Sequence, residues 1–154
     1  MLALLAHPDE FARLRAAPAT LLESARDELL RFVSPVIYMR RTTRRDTEIA
    51  GQRIRAGDKV VRYFGAANFD ERQFDEPDRL DLSRTPNPHI AFGAGAHVCL
   101  GQHIARVEID ALLAEVVTRL TDLELAAPPE WLPSNFISGP RRMPVKFRAG
   151  RRLG

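Results

Sequence analysis

Little in this chain can cross-link it, anchor it or carry it through a membrane. It has a single cysteine among 154 residues, so no internal disulfide can form and nothing points to an oxidising compartment; a cytoplasmic protein is expected. Its opening apolar stretch, Met1 to Ala6, has no basic leader and stops at His7-Pro8-Asp9, far short of the roughly 20 residues a membrane span requires. That stretch is neither a signal peptide nor an anchor, and no membrane partner is expected. Lysine occurs only at Lys59 and Lys146, leaving arginine as 21 of the 23 basic residues. With a formal net charge of +3 and basic residues spread along the chain, apart from Arg40, Arg41, Arg44, Arg45 and a basic tail, no nucleic-acid partner is expected and most of the charge reads as solvated surface. Internal repeats and low-complexity segments are absent.

What is present is enough for one domain: the length suits one, and 45% hydrophobic residues can build a core. The chain is organised around Phe92-Gly93-Ala94-Gly95-Ala96-His97-Val98-Cys99-Leu100-Gly101, which holds the only cysteine and runs into the longest helical pattern. Glycines two and four residues from the sulfur allow tight or left-handed backbone, and a helix beginning near Gln102 brings the positive end of its dipole close, which stabilises negative charge on sulfur. A thiolate so placed is a nucleophile or a metal ligand.

The remaining pattern predicts a mainly α protein with small antiparallel β-hairpins. Two helices are expected within residues 1–34. The chain opens inside a helix that resumes at Pro8 and ends at Ala17-Pro18. The second is capped by Thr20-Leu21-Leu22-Glu23 and stopped by Ser34-Pro35. A small antiparallel sheet is expected over 35–63, from Val36–Met39, a hairpin turning at Gly51-Gln52, and Lys59–Phe64. A proline-rich meander follows over 64–91, opened by a helical turn at Gly65–Asn68, then the cysteine loop over 92–101. A long helix over 102–124 is apolar enough to be buried on more than one side. The last part, 125–154, reads as an extended hairpin with its tip at Phe136–Gly139, fraying from Arg148 onward.

Phe92, Gly95, His97, Cys99 and Gly101, spaced Phe-x-x-Gly-x-His-x-Cys-x-Gly, resemble the haem-binding loop of the cytochrome P450 family, the haem-thiolate monooxygenases. Glu28-Leu29-Leu30-Arg31 resembles the Glu-x-x-Arg on the family's helix beneath the haem, and Arg79, in Phe74-Asp75-Glu76-Pro77-Asp78-Arg79, matches the arginine that completes that pair. The match extends over nearly the whole chain and departs from the family at Phe69 and Glu71, where an arginine and a proline are usual.

This resemblance implies the haem-proximal, C-terminal part of the cytochrome P450 fold, with haem b as cofactor and Cys99 as proximal iron ligand. It further implies that Phe92, Gly95, Gly101 and Ala105 lie at the haem, and that His89, Arg41 and His97 hold its propionates, with Arg40 as a competitor for Arg41. Glu28, Arg31 and Arg79 would form one buried structural network. Val36, Ile37 and Tyr38, with Phe136 and Ile137, would face an apolar substrate of the lipid, terpene or sterol type. The implied partners are a ferredoxin-type donor, received by basic residues such as Arg106, and its NAD(P)H-dependent reductase. The family's oxygen-activating pattern, Ala-Gly-x-x-Thr, does not occur; Met1 is therefore expected to be an internal methionine, and the chain a fragment inactive alone. Two other readings compete: a cysteine-nucleophile enzyme with His103 as base, which lacks a third residue to orient that base, and a phosphate-cradling Gly93-x-Gly95 loop, in which Val98 replaces the third glycine of the dinucleotide fingerprint.

Overall fold

The computed structural model describes residues 1–150. Three helices, not two, open the chain: α1 (Leu2–Ala6), α2 (Pro8–Ala16) and α3 (Pro18–Val33). Proline at the first position of α2 and of α3 sets each start, because its fixed φ suits the first turn and its missing N–H would have no partner there. The expected capping box is therefore displaced: Thr20 lies inside α3 and its hydroxyl donates back to the Ala17 carbonyl at 3.1 Å. Ser34, at φ +42°, ends α3 as expected, and its hydroxyl donates to Arg31 O at 2.7 Å.

The region after α3 forms two separate two-stranded sheets rather than one. β1 (Tyr38–Thr42) pairs antiparallel with β4 (Lys59–Tyr63), and β2 (Thr47–Ile49) with β3 (Gln52–Ile54). β1 starts two residues later than expected, because Val36 makes only an isolated bridge to Ile137. The β2–β3 turn is Ala50-Gly51, one residue earlier than the sequence suggested; both have positive φ (+48° and +78°), as a two-residue hairpin turn of this hand requires. α4 (Phe64–Asn68) leads into the meander, and α5 (Gln102–Arg119) follows the cysteine loop.

α5 stops at Arg119, short of the expected 124. Residues from there form β5 (Leu120–Leu125), paired with β8 (Val145–Ala149), while β6 (Glu130–Trp131) pairs with β7 (Pro140–Arg142). Arg148 and Ala149 thus belong to a strand; the rest of the expected frayed tail, from Arg151 on, lies outside the described residues. The core gathers Leu4, Leu14, Ala25, Leu29, Leu82, Leu113 and Val116 from α1, α2, α3, the meander and α5. Each fully buried leucine contributes about 1.5–3 kcal/mol, so α5 is held by its Leu113–Val117 side. Its opposite side is open, with Ile104 and Val107 both 68% exposed; burial on more than one side is not what the structure shows.

Candidate functional site

The cysteine loop closes on itself through backbone bonds. Cys99 N–H donates to Phe92 O at 2.8 Å, Gly93 N–H to Ile90 O at 2.7 Å and Val98 N–H to Gly95 O at 3.1 Å. Gly93 and Gly95 have φ of +79° and +69°, where a side chain is strained, and a Cβ on Gly93 would also lie 3.4 Å from the His97 carbonyl. Gln102 N–H donates to Cys99 O at 3.2 Å, so α5 begins immediately beyond the sulfur, as the sequence suggested. Cys99 is exposed. Among the described residues, no hydrogen bond joins it to the exposed His103, and none of the groupings of His, Cys, Asp and Glu could hold a metal ion by themselves.

Cys99 lines a cavity of about 360 Å³ whose apolar walls include Leu30, Val36, Phe64 and Phe92, and whose polar side chains are Arg41, Arg62 and His97. The β1–β4 register sets Met39 against Arg62 and Arg41 against Val60; alternation along the strands puts these four on one face. That face and His97 also bound an adjoining cleft of about 230 Å³. Two guanidinium groups and an imidazole therefore converge beside an apolar hollow. Arg41 donates only to the Arg40 carbonyl, at 2.9 Å, and Arg62 lies 4.9 Å over the Phe64 ring; among the described residues neither pairs with a carboxylate. The geometry suits an apolar group that carries acid substituents and accepts a sulfur donor.

The family model for cytochrome P450 matches residues 16–142. The chain belongs to the cytochrome P450 family. It is 47% identical over 146 residues to a steroid C26-monooxygenase of Mycolicibacterium smegmatis, covering 94% of this chain and 36% of that protein. It is 40% identical over 141 residues to cytochrome P450-terp of a Pseudomonas species, covering 92% of this chain and 33% of that one. Among solved structures it is similar to P450BioI in complex with hexadec-9Z-enoic acid ligated acyl carrier protein, at a TM-score of 0.92 and 38% identity over 96% of this chain and 38% of that one. The chain thus spans about a third of the length of these relatives. Cytochromes P450 bind haem b, and bacterial members use redox partners and take apolar substrates. Among the described residues, no helix is long and apolar enough to cross a membrane.

The Glu-x-x-Arg pair of this cytochrome P450 chain is fully buried. Arg31 donates through Nε and Nη2 to the two Glu28 oxygens, both at 2.8 Å, and through Nη1 to the carbonyls of Asn68 and Pro77 at 2.7 and 2.9 Å. The third side chain is Arg84, not Arg79. Arg84 Nε lies 3.2 and 3.1 Å from the two Glu28 oxygens, and its terminal nitrogens bind the carbonyls of Asp75, Glu76 and Arg79. Arg79 sits on a turn whose N–H bonds to Glu76 O at 3.0 Å, and its 60% exposed side chain pairs with Glu76. Only its backbone carbonyl enters the network. Phe69, which departs from the family pattern, lies 5.2 Å from the Arg31 guanidinium carbon and covers that buried charge.

His89 does not join Arg41 and His97. Its side chain is 3% exposed, with Nε2 3.8 Å from Asp27 Oδ1, and Nδ1 accepts the Ala91 N–H at 3.2 Å. Its place beside the cavity is taken by Arg62, which the sequence reading did not single out. Burial lowers the His89 pKa below the usual histidine value, and neighbouring Arg106 acts in the same direction against the opposing pull of Asp27. As pH falls through about 6.5 the unfolded chain takes up this proton first. The stability from neutral His89 is therefore complete above that value and declines as pH drops toward the depressed folded pKa. Melting temperatures measured from about pH 8 to pH 5.5 should fall less steeply for His89→Gln than for the parent chain.

The remaining expected residues are placed as follows. Gly95, Gly101 and Ala105 flank the cavity rather than line it; Ala105 N–H donates to Gly101 O at 2.9 Å, and a Cβ on Gly101 would be 4.0 Å from Cys99 Sγ. Val36 lines the cavity. Ile37 N–H donates to Phe136 O at 2.9 Å, Val36 bridges Ile137, and the Tyr38 and Phe136 rings meet edge to face at 6.2 Å. The five expected substrate-facing residues are thus brought together, with Val36 at the cavity wall. Arg106 is not a free surface cation: it contacts Asp27 at 3.4 Å and donates to Gln102 at 3.0 Å.

Proposed function

We propose that Cys99 is the axial thiolate ligand of a haem b held in the cavity it lines, within a haem-thiolate monooxygenase. The observation that carries this reading is the composition of that cavity: one sulfur, apolar walls, and the side chains of Arg41, Arg62 and His97, which have no carboxylate partner among the described residues. The donor set fits the group, since a porphyrin brings an apolar ring, an iron that accepts a thiolate and two carboxylates that need charge-assisted partners. Bound there, haem would supply the iron at which dioxygen is activated. The chain's own contribution is to fix the sulfur through the Phe92 carbonyl and the start of α5, to exclude water with Leu30, Val36, Phe64 and Phe92, and to neutralise the propionates.

The substrate of this reading is apolar and of the lipid, terpene or sterol type. Val36 and the Phe136–Ile137 tip support it, as do relatives named as a steroid C26-monooxygenase and a linalool 8-monooxygenase. A ferredoxin-type donor with an NAD(P)H-dependent reductase would deliver electrons in the cytoplasm.

Haem titration of the purified chain tests the ligand. The reduced, carbon monoxide-bound protein should show the red-shifted Soret band of thiolate ligation, and Cys99→Ala should abolish it. Haem bound by Cys99→Ala with an unchanged spectrum would sink the assignment.

A further inference from the structure

One cluster next to the cysteine loop is left unused by this reading. Arg106, on α5, holds its guanidinium carbon 4.9 Å over the Phe92 ring, while the His89 ring lies 6.4 Å from the same ring at 49°. Arg106 is tied to one carboxylate, Asp27 of α3, at 3.4 Å, and the neutral His89 ring lies beside the same carboxylate, with Nε2 3.8 Å from its Oδ1. Asp27 is fixed in turn by Arg26, whose Nε and Nη2 donate to its two oxygens at 3.0 and 3.3 Å. Arg26 ties that carboxylate to α5 through Asp110 at 2.7 Å. The Ala91 N–H directed at Nδ1 of His89 places the proton of the neutral ring on Nε2, facing Asp27. Every member belongs to α3, α5 or the segment entering the loop.

Phe92 is the residue this arrangement grips, and its carbonyl is the acceptor for the Cys99 N–H at 2.8 Å. We infer that Asp27, Arg106 and His89 form a clamp on Phe92 that positions Cys99, with Arg106 and His89 as positioning residues acting through the Phe92 backbone. A cation stacked on a ring and tied to a carboxylate resists both sliding and tilting of that ring. Gly93 directly after Phe92, with Gly95 and Gly101 on either side of Cys99, gives the loop little stiffness of its own. The sulfur is thereby referenced to two packed helices rather than to a flexible loop.

The inference deepens the reading of Cys99 as the thiolate ligand, but its main test is read on the chain without haem. Site-resolved amide hydrogen exchange reports local opening separately from global unfolding. In Arg106→Gln, the Cys99 and Gly93 amides should exchange about three- to tenfold faster, the size expected for losing a stacked, paired cation. The core amides of Leu113 and Val116, and the remote Gly57 amide bonded to Thr43 O, should stay unchanged. A residue that acted only on overall stability would move the core amides as well. Asp27→Asn should release the same two loop amides, and the double variant no more than the larger single effect, because all act through one ring. Arg106→Lys keeps the charge without the planar fork and should restore part of the protection. If the Cys99 amide exchanges at the parent rate in both single variants, or only in step with the core, the clamp is refuted. In the haem-loaded protein, the same variants should lose part of the red-shifted carbon monoxide band. Failure of the parent chain to give that band would count against the ligand reading and leave the exchange result to decide the clamp.

Discussion

Glu28→Ala should destabilise the chain by about 3–5 kcal/mol, because it strands the fully buried Arg31 guanidinium without its carboxylate. Arg84→Ala should cost about 1.5–3 kcal/mol, the worth of charge-assisted bonds to a buried group, since Glu28 keeps Arg31, Asn87 and the Asp81 N–H as donors. It also releases the Asp75, Glu76 and Arg79 carbonyls, so the damage should concentrate in the meander. Arg79→Ala should stay within about 0.5 kcal/mol of the parent, as befits an exposed i,i+3 pair with Glu76. Urea unfolding followed by circular dichroism orders the three variants. Equal losses from Arg79→Ala and Arg84→Ala would mean that the buried network is not the one described.

The contrast between those arginines shows where the sequence was sufficient and where it was not. The cysteine loop was legible because its chemistry is local: glycines at fixed distances from the sulfur and a helix start after it need no distant partner. The end of α3 at Ser34-Pro35 was legible for the same reason. Arg79 and Arg84 are both arginines in one proline-broken segment, and which of them folds back depends on a turn at Glu76–Arg79 that aims the earlier one outward. The end of α5 was hidden because Leu120 and Leu123 continue the apolar spacing of the helix. They become strand residues only because β8, far along the chain, supplies a hydrogen-bonding partner at Leu120↔Ala149. Arg62 escaped notice because its facing is a matter of register: pairing with Met39 turns it to the cavity, and a slip of one residue would turn it away. The propionate role expected of His89 came from the family resemblance and not from its own surroundings, and the ring instead lies beside Asp27 on α3, with Nε2 3.8 Å from Oδ1.

The largest effect on cofactor retention short of removing the sulfur should come from Arg41 and Arg62 together. Both face the cavity from one side of the β1–β4 ribbon, and neither has a carboxylate among the described residues. Their charges are therefore unspent until an acid group arrives. A charge-assisted bond of about 1.5–3 kcal/mol corresponds to roughly ten- to hundredfold in affinity, so each of Arg41→Ala and Arg62→Ala should weaken haem binding by about tenfold. The double variant should lose about hundredfold if the two act on separate carboxylates, and less if they share one. Lys59 is the control: it pairs with Thr42 on the opposite face of the same ribbon and donates to its hydroxyl at 2.7 Å, so Lys59→Ala should leave affinity unchanged while removing the same charge from the same strand. Haem transfer to excess apomyoglobin gives the release rate for each variant. A double variant that releases haem no faster than Lys59→Ala would show that the cofactor's acid groups are held elsewhere.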